Sequence, residues 1–333
     1  MSQIKWHPGK LLEVSGSYWM GCTLHTSVKF DIFTCLGDGS LTAAEMSKKI
    51  NTSEDGIERL LNALTAMGLL KKNENRFSNT KISNSFLNKE SSKYIGYMIQ
   101  HHHHLVDAWA KLDKAVTTGK PVRTSSSITD DETQRENFLM GMFNLAMSIA
   151  PNVAKEIDLK GHKKLIDLGG GPGTYAIYFC LNNPDLKASV FDFHTTRPFA
   201  EKNIKKFGLS HRINFIDGNF LKDNIEEKFD TAWLSHILHG DSPEDCQEII
   251  KKTVSALEPG GLIFIHDFIL EDTMDGPLFP SLFSLNMLLG TNGGRSYSQQ
   301  QISDMLTREG IINIKRLDFQ GPNDSGIITG QKQ

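Results

Sequence analysis

Two hydrophobic periods divide the chain. In the first third, Ile57, Leu60, Leu61 and Leu64 recur at i, i+3, i+4 and i+7, one face of a helix that should end at Gly68. Before it, an apolar-rich segment from about Ser17 to Leu36 predicts a helix, and Thr42-Ala43-Ala44-Glu45 is a capping box opening another. Leu69 to Lys72 and Arg76 to Thr80 predict two strands joined by Asn73-Glu74-Asn75. Three helices and a hairpin make a winged helix. Further on the period changes. Short apolar runs at Leu165 to Leu168, Ser189 to Phe193, Ile213 to Asp217, Thr231 to Ile237 and Leu262 to Phe268 alternate with helical stretches, which predicts βαβ units and a parallel sheet. Ile312 to Phe319 and Ile327 to Lys332 have no helix between them, so the sheet should end in an antiparallel hairpin.

Between the two patterns lies a helical region. His101, His102, His103 and His104 precede Leu105, Trp109 and Leu112 at helical spacing, and only His101 and His104 share a face. No third and fourth ligand stand at a known spacing, so a partly exposed polar run is expected and no metal. Thr124 to Asp131 is polar and without period, a surface connection; helix resumes at Glu132, where Phe138, Met142, Leu145 and Ile149 form an apolar stripe. Such a stripe belongs to a core or, being Met-rich, to an adaptable pocket wall.

Length and charge narrow the reading. With 333 residues the chain can build two cores, and the pattern places boundaries at 1–100 (winged helix), 101–160 (helical linker and pocket helices) and 161–333 (sheet domain). A winged helix raises the question of DNA, but the would-be recognition helix carries Glu54, Asp55 and Glu58 against a single Arg59, and the net charge is -3. Phosphates would be repelled, so neither nucleic acid nor an anionic membrane is an expected partner. The first eight residues hold no apolar leader and no run approaches the roughly 18 residues of a membrane span, so a cytoplasmic protein is expected. Cys22, Cys35, Cys180 and Cys246 are scattered and read as buried free thiols.

The chemistry concentrates at Lys163 to Thr174, where an apolar run stops at Asp167 and passes into Gly169, Gly170, Gly171 and Gly173. That is strand, tight turn and helix, a nucleotide-type site. A dinucleotide fingerprint would require glycine where Thr174 stands, which disfavours a nicotinamide dehydrogenase. Asp192 ends the next run, where a ribose-binding carboxylate belongs. The strand ends direct attention further to Asn219 and Phe220, to Ser235 through His239, and to Asp267. Asn219 is placed either to meet an adenine amino group, with Phe220 over the ring, or simply to form a turn.

The Asp-x-Gly-x-Gly-x-Gly pattern resembles motif I of the class I S-adenosylmethionine methyltransferases. Thr231 to Cys246 followed by Ala256-Leu257-Glu258-Pro259-Gly260-Gly261, with Gly293-Gly294-Arg295-Ser296-Tyr297, is similar to the small-molecule O-methyltransferases related to the caffeic acid, acetylserotonin and hydroxyneurosporene enzymes. The resemblance covers almost the whole chain. It implies an α/β fold, a Rossmann-like class I methyltransferase sheet with a C-terminal antiparallel hairpin, behind a mainly helical winged-helix dimerisation domain. It implies a homodimer, S-adenosyl-L-methionine bound by Asp167, Gly169, Gly171, Asp192, Asn219, Phe220 and Ser235, and a small aromatic or apolar hydroxylated methyl acceptor. The general base falls on His239 with Asp267 beside it, and Phe138, Met142, Trp109 and His236 are expected at the acceptor. Two departures stand out: Gly240-Asp241 follows the base where the family has Asp-Trp, and Ser296 occupies the place of a second Glu. The alternatives are methylation of sulfur, nitrogen or carbon on the same fold, and a cofactor-binding regulator without catalysis.

Overall fold

The structure, a computed structural model, describes residues 5–124 and 131–333, so nearly all of the predicted connection at Thr124 to Asp131 lies outside the described residues. Contacts divide the chain into two units, Met1–Val106 with Glu136–Asn144, and Asp107–Arg135 with Leu145–Gln333.

The first unit opens with α1 (Pro8–Gly16), α2 (Tyr18–Lys29) and α3 (Ile32–Leu36). The single helix expected from Ser17 to Leu36 is thus broken: Asp31 adopts φ 55°, a left-handed conformation that ends one helix and starts the next. Then come β1 (Ser40–Thr42), α4 (Ala43–Ile50), α5 (Glu54–Ala66), β2 (Leu70–Asn73), β3 (Arg76–Asn79), α6 (Lys81–Phe86) and α7 (Gly96–Trp109). The capping box forms as predicted: the Thr42 hydroxyl accepts from the Glu45 amide at 3.1 Å and the Glu45 carboxylate from the Thr42 amide at 2.8 Å. Ile57, Leu61 and Leu64 of α5 are buried with Phe33, Met46 and Phe77, while Leu60 packs at the margin. The wing gains a strand, β1, and its order is β1-β3-β2; three residues are too few to show a period. On α1 and α2, Leu11, Leu12, Val14, Tyr18, Trp19 and Met20 are all exposed.

The second unit holds α8 (Leu112–Thr118), which takes Leu112 off the α7 helix, and most of α9 (Glu132–Glu156). The stripe predicted on α9 is not a core stripe: Phe138, Met142 and Ile149 are only half-buried and Leu145 is exposed. The helix packs instead through Leu139, Gly141, Ala150, Val153 and Ala154. Small residues allow the closer approach. A β-carbon at Gly141 would come within 3.1 Å of the Met98 Cα.

The sheet follows in β4 (Lys164–Leu168), α10 (Thr174–Asn182), β5 (Lys187–Asp192), α11 (Arg197–Lys206), β6 (Ile213–Asp217), β7 (Phe229–Ser235), α12 (Pro243–Ala256), β8 (Leu257–Phe268), α13 (Leu278–Gly290), α14 (Gln299–Arg308), β9 (Ile311–Arg316) and β10 (Ser325–Lys332). Its order is β6-β5-β4-β7-β8-β10-β9, with the first five strands parallel and β10 antiparallel to both β8 and β9. Alternate residues bury on opposite faces: Leu165, Val190 and Trp233 on one, Ile166, Phe191 and Leu234 on the other. Sheltered on both faces, these strands read as continuous apolar runs. β7 ends two residues earlier than predicted because His236 turns to φ 58°, and β9 ends at Arg316, short of the predicted Phe319. Of the four free cysteines, Cys180 and Cys246 are buried as expected, but Cys22 and Cys35 are only partly so. No helix among the described residues is long and apolar enough to cross a membrane.

Candidate active site

The strand order reverses at β4, and the C-terminal ends of β4, β5, β7 and β8 bring the predicted residues together, as expected for a crevice at a switch point. After β4, Gly169, Gly171 and Gly173 take φ of 62°, 53° and 77°, a turn built from left-handed residues. Space is also limiting: a β-carbon at Gly169 would run into the Ile237 side chain, and one at Gly170 would stand 2.6 Å from the Asp167 carboxyl carbon. At Gly171 the same position faces open space. Asp167 lies beneath the turn, where its Oδ2 accepts from the Ala176 amide at 3.2 Å and its Oδ1 has no hydrogen-bond partner. Burial, with the Asp192 charge adding to it, pushes its pKa up to about 7. Asp192, at the end of β5, reaches across to the turn and accepts from the Gly171 amide at 2.8 Å and from the Phe193 amide at 2.6 Å. Burial still raises its pKa to about 6.

Three other residues predicted on this side have partners within the protein. The Asn219 side-chain oxygen accepts from the Leu221 amide at 2.9 Å, the turn-forming role, while Phe220 packs on Phe193 at 5.6 Å. The Ser235 hydroxyl pairs with His266 Nδ1 at 3.0 Å.

The second half of the site begins where β7 stops. His236 in its left-handed conformation starts the reversal, and Leu238–Gly240 form a single 3-10 turn that carries His239. His239 Nδ1 stands 2.6 Å from Asp267 Oδ1, and the His239 amide donates to Asp267 Oδ2 at 3.3 Å. The Phe268 amide donates to Oδ1 at 2.8 Å. His236 Nδ1 lies 3.6 Å from the same oxygen, buried and without a hydrogen-bond partner. Burial opposes the Asp267 charge, but the facing imidazoles, His239 foremost, hold its carboxyl well below the usual carboxylate range. Among the described residues, these three side chains form a group whose ligand-type atoms all lie within 4.8 Å of one another.

These features fit a family. Residues 102–312 match the O-methyltransferase domain, and residues 12–89 match the O-methyltransferase dimerisation domain. The chain belongs to the O-methyltransferase family. It is an S-adenosylmethionine-dependent O-methyltransferase. The methyltransferase is 28% identical over 330 residues to the 3-hydroxy-5-methyl-1-naphthoate 3-O-methyltransferase of Streptomyces sahachiroi, covering 98% of this chain and 95% of that one. It is also 28% identical over 272 residues, 78% of each chain, to the N,N-dimethyltransferase OxyT of Streptomyces rimosus. Among solved structures, an O-methyltransferase family protein from Burkholderia thailandensis superposes with a TM-score of 0.89 at 26% identity, covering 99% of both chains.

Around the imidazoles the methyltransferase places phenylalanines that the sequence reading missed. Phe268 stacks on His239 at 6.0 Å and meets His236 at 4.4 Å; Phe283 stands edge-on to His239 at 4.8 Å, and Phe279 stacks on Phe283 at 5.8 Å. Phe279 and Phe283 are one turn apart on α13, an i, i+4 signal available in the sequence. Beneath lies His266, fully buried, with Tyr175 and Ser235 hydroxyls at Nδ1 and Ser325 at Nε2. Burial holds its pKa well below 6.5, so it is neutral. The His239 turn is anchored from outside by Tyr297, whose hydroxyl donates to the Asp241 carbonyl at 2.6 Å, and by the Cys246 thiol, 3.0 Å from the Leu238 carbonyl. Asp241, which follows the departure Gly240, has its pKa pushed up to about 6 by burial. Ser296 is buried and donates to the Pro280 carbonyl at 2.8 Å.

The residues expected at the acceptor fall in both units. Phe138 and Met142 belong to the first unit, where Phe138 meets the buried His101 at 5.2 Å; Trp109 belongs to the second and packs with Ala108, Ala115 and Leu289. His236 stands beside the base, the two ring centroids 5.9 Å apart.

Proposed function

We propose that this methyltransferase acts on a hydroxyl of a small aromatic or apolar metabolite, with His239 as general base oriented by Asp267. The observation that carries the reading is the 2.6 Å contact between His239 Nδ1 and a carboxylate that is 3% exposed. An ionised carboxylate only accepts, so the Nδ1 proton stays on the imidazole and the Nε2 lone pair is free to take the hydroxyl proton. When His239 becomes an imidazolium, Asp267 is already charged and in place, and no reorganisation is needed. Phe268 and Phe283 cover part of the imidazole and, with Phe279, offer flat apolar faces to a flat acceptor. The naphthoate acceptor named for the Streptomyces sahachiroi relative has that character.

The residues present fit S-adenosylmethionine. Asp192 is a buried carboxylate with its pKa raised to about 6 even though it accepts two amide hydrogen bonds, so further donors such as ribose hydroxyls would stabilise its charge. Gly171 leaves open space beside it, and Gly169 and Asp167 shape the turn. The sulfonium supplies an electrophilic methyl group. Everything else asked of the chain is positioning: a nucleophilic oxygen held in a dry site and relieved of its proton. Residues 12–89, with the exposed apolar side chains of α1 and α2, would form the homodimer.

A second reading, transfer to nitrogen, is favoured by the relation to OxyT. His239→Ala separates the two, assayed with hydroxynaphthoates and with aromatic amines. With a hydroxyl acceptor, turnover should fall by roughly 10²- to 10⁴-fold while calorimetry shows S-adenosylhomocysteine affinity unchanged. A variant keeping more than about a tenth of wild-type turnover on a hydroxyl acceptor overturns the base assignment.

A further inference from the structure

General-base chemistry uses one imidazole on Asp267, yet the fold supplies two. His236 occupies a left-handed conformation that L-residues with a side chain adopt at a cost, and its Nδ1 is buried without a hydrogen bond. A left-handed backbone thus holds a buried imidazole nitrogen 3.6 Å from Asp267 Oδ1, beyond hydrogen-bonding distance, where a ligand can reach both. The orphan points at the carboxylate that His239 uses: Nδ1 of His236 and of His239 lie 3.6 and 2.6 Å from Asp267 Oδ1, and no pair of the three ligand atoms exceeds 4.8 Å. Ligand atoms around a tetrahedral zinc ion at its usual bond lengths stand about 3.3 Å apart, so modest rotation of the two rings brings the set to bonding distance.

We propose that His236, His239 and Asp267 form a binding site for one divalent cation of the zinc class, whose occupancy switches the methyltransferase off. Two imidazoles and one carboxylate select zinc, cobalt or nickel over magnesium or calcium, which prefer all-oxygen sets. The outer contacts suit the task. The Phe268 and His239 amides fix the two Asp267 oxygens, and the His236 amide donates to the His266 carbonyl at 2.8 Å. The His236 and His239 side chains remain 22% and 13% exposed, leaving a side from which water completes the coordination.

Inhibition follows from the tautomer. As a base, His239 keeps its proton on Nδ1 and its lone pair on Nε2. As a ligand through Nδ1 it gives that lone pair to the metal, and the ring proton moves to Nε2, which becomes a donor toward the acceptor hydroxyl. Cation binding and base action therefore exclude each other. The exchange balances: the cation enters, one proton shifts between ring nitrogens, and no redox partner is involved.

The test uses the full-length chain without a polyhistidine tag, titrated with Zn²⁺ against a chromophoric chelator. Wild type should bind zinc at this site, and His236→Asn and Asp267→Asn should each weaken that binding by about tenfold or more. Asn tolerates the left-handed backbone at 236, and unchanged S-adenosylhomocysteine affinity certifies the fold of each variant. His102→Asn with His103→Asn, in the other imidazole-rich region, should leave this binding unchanged. Equal zinc affinity in wild type and His236→Asn, or loss confined to the 102 and 103 variants, overturns the proposal. Because the readout is binding, it stands or falls separately from the base assignment, which the His239→Ala turnover decides.

Discussion

The pH dependence of cofactor binding follows from Asp192. The ordinary value for its carboxyl is 3.8; burial lifts it to about 6 in the free enzyme, against the pull of the Phe193 and Gly171 amides. Ribose hydroxyls donate only to the ionised form in the proposed pose, so binding lowers this pKa. The sign is therefore fixed: affinity is full above about pH 6 and falls as pH drops through that value, by about tenfold per unit once the proton is on. At pH 5 the dissociation constant should be about elevenfold its value at pH 7.5, near 1.4 kcal/mol. Isothermal titration with S-adenosylhomocysteine between pH 5 and 7.5 measures it. Asp167, raised to about 7, titrates in the same window, so the decisive curve is that of Asp192→Asn. That variant should bind more weakly at neutral pH and lose the decline below pH 6. A decline in Asp192→Asn as steep as that of the wild type, or a flat wild-type curve, refutes the placement of the ribose on Asp192.

Three further outcomes are expected. Tyr297→Phe leaves the Asp241 carbonyl without its 2.6 Å donor; it should cost about 1–3 kcal/mol in chemical denaturation and lower kcat through the His239 turn, with S-adenosylhomocysteine affinity kept. Gly169→Ala meets both a φ of 62° and the Ile237 side chain, so it should abolish detectable cofactor binding by calorimetry while the far-ultraviolet circular dichroism stays near wild type. Leu12→Glu with Trp19→Glu, at positions 74% and 67% exposed, should yield a monomer in light scattering; a dimer of unchanged affinity would place the interface elsewhere.

The parallel strands were legible because both faces of each are covered, leaving unbroken runs such as Leu165 to Leu168. β1 was not, since three residues hold no period. Of the two readings of the stripe on α9, the core one fails for a physical reason: apolar size marks burial, whereas this helix packs through Gly141, Ala150 and Ala154, where small residues admit the neighbour. The positions of Asp192 and Asp267 at the crevice were readable because both residues stand at the ends of apolar strand runs. That His236 shares Asp267 with His239 was not readable, because it depends on one left-handed residue ending β7. Phe279 and Phe283 were visible as an i, i+4 pair, but their approach to His239 depends on how α13 docks.

Ile237 fills the space that a side chain at Gly169 would need, and it stands two residues before His239. A single aliphatic side chain thus joins the glycine turn to the 3-10 turn that carries the imidazole. A ligand that displaces one turn is therefore expected to push on the other, linking the two in free energy by the same factor in both directions. Replacing Ile237 with Ala would then uncouple the two binding events while leaving every polar contact of the site in place.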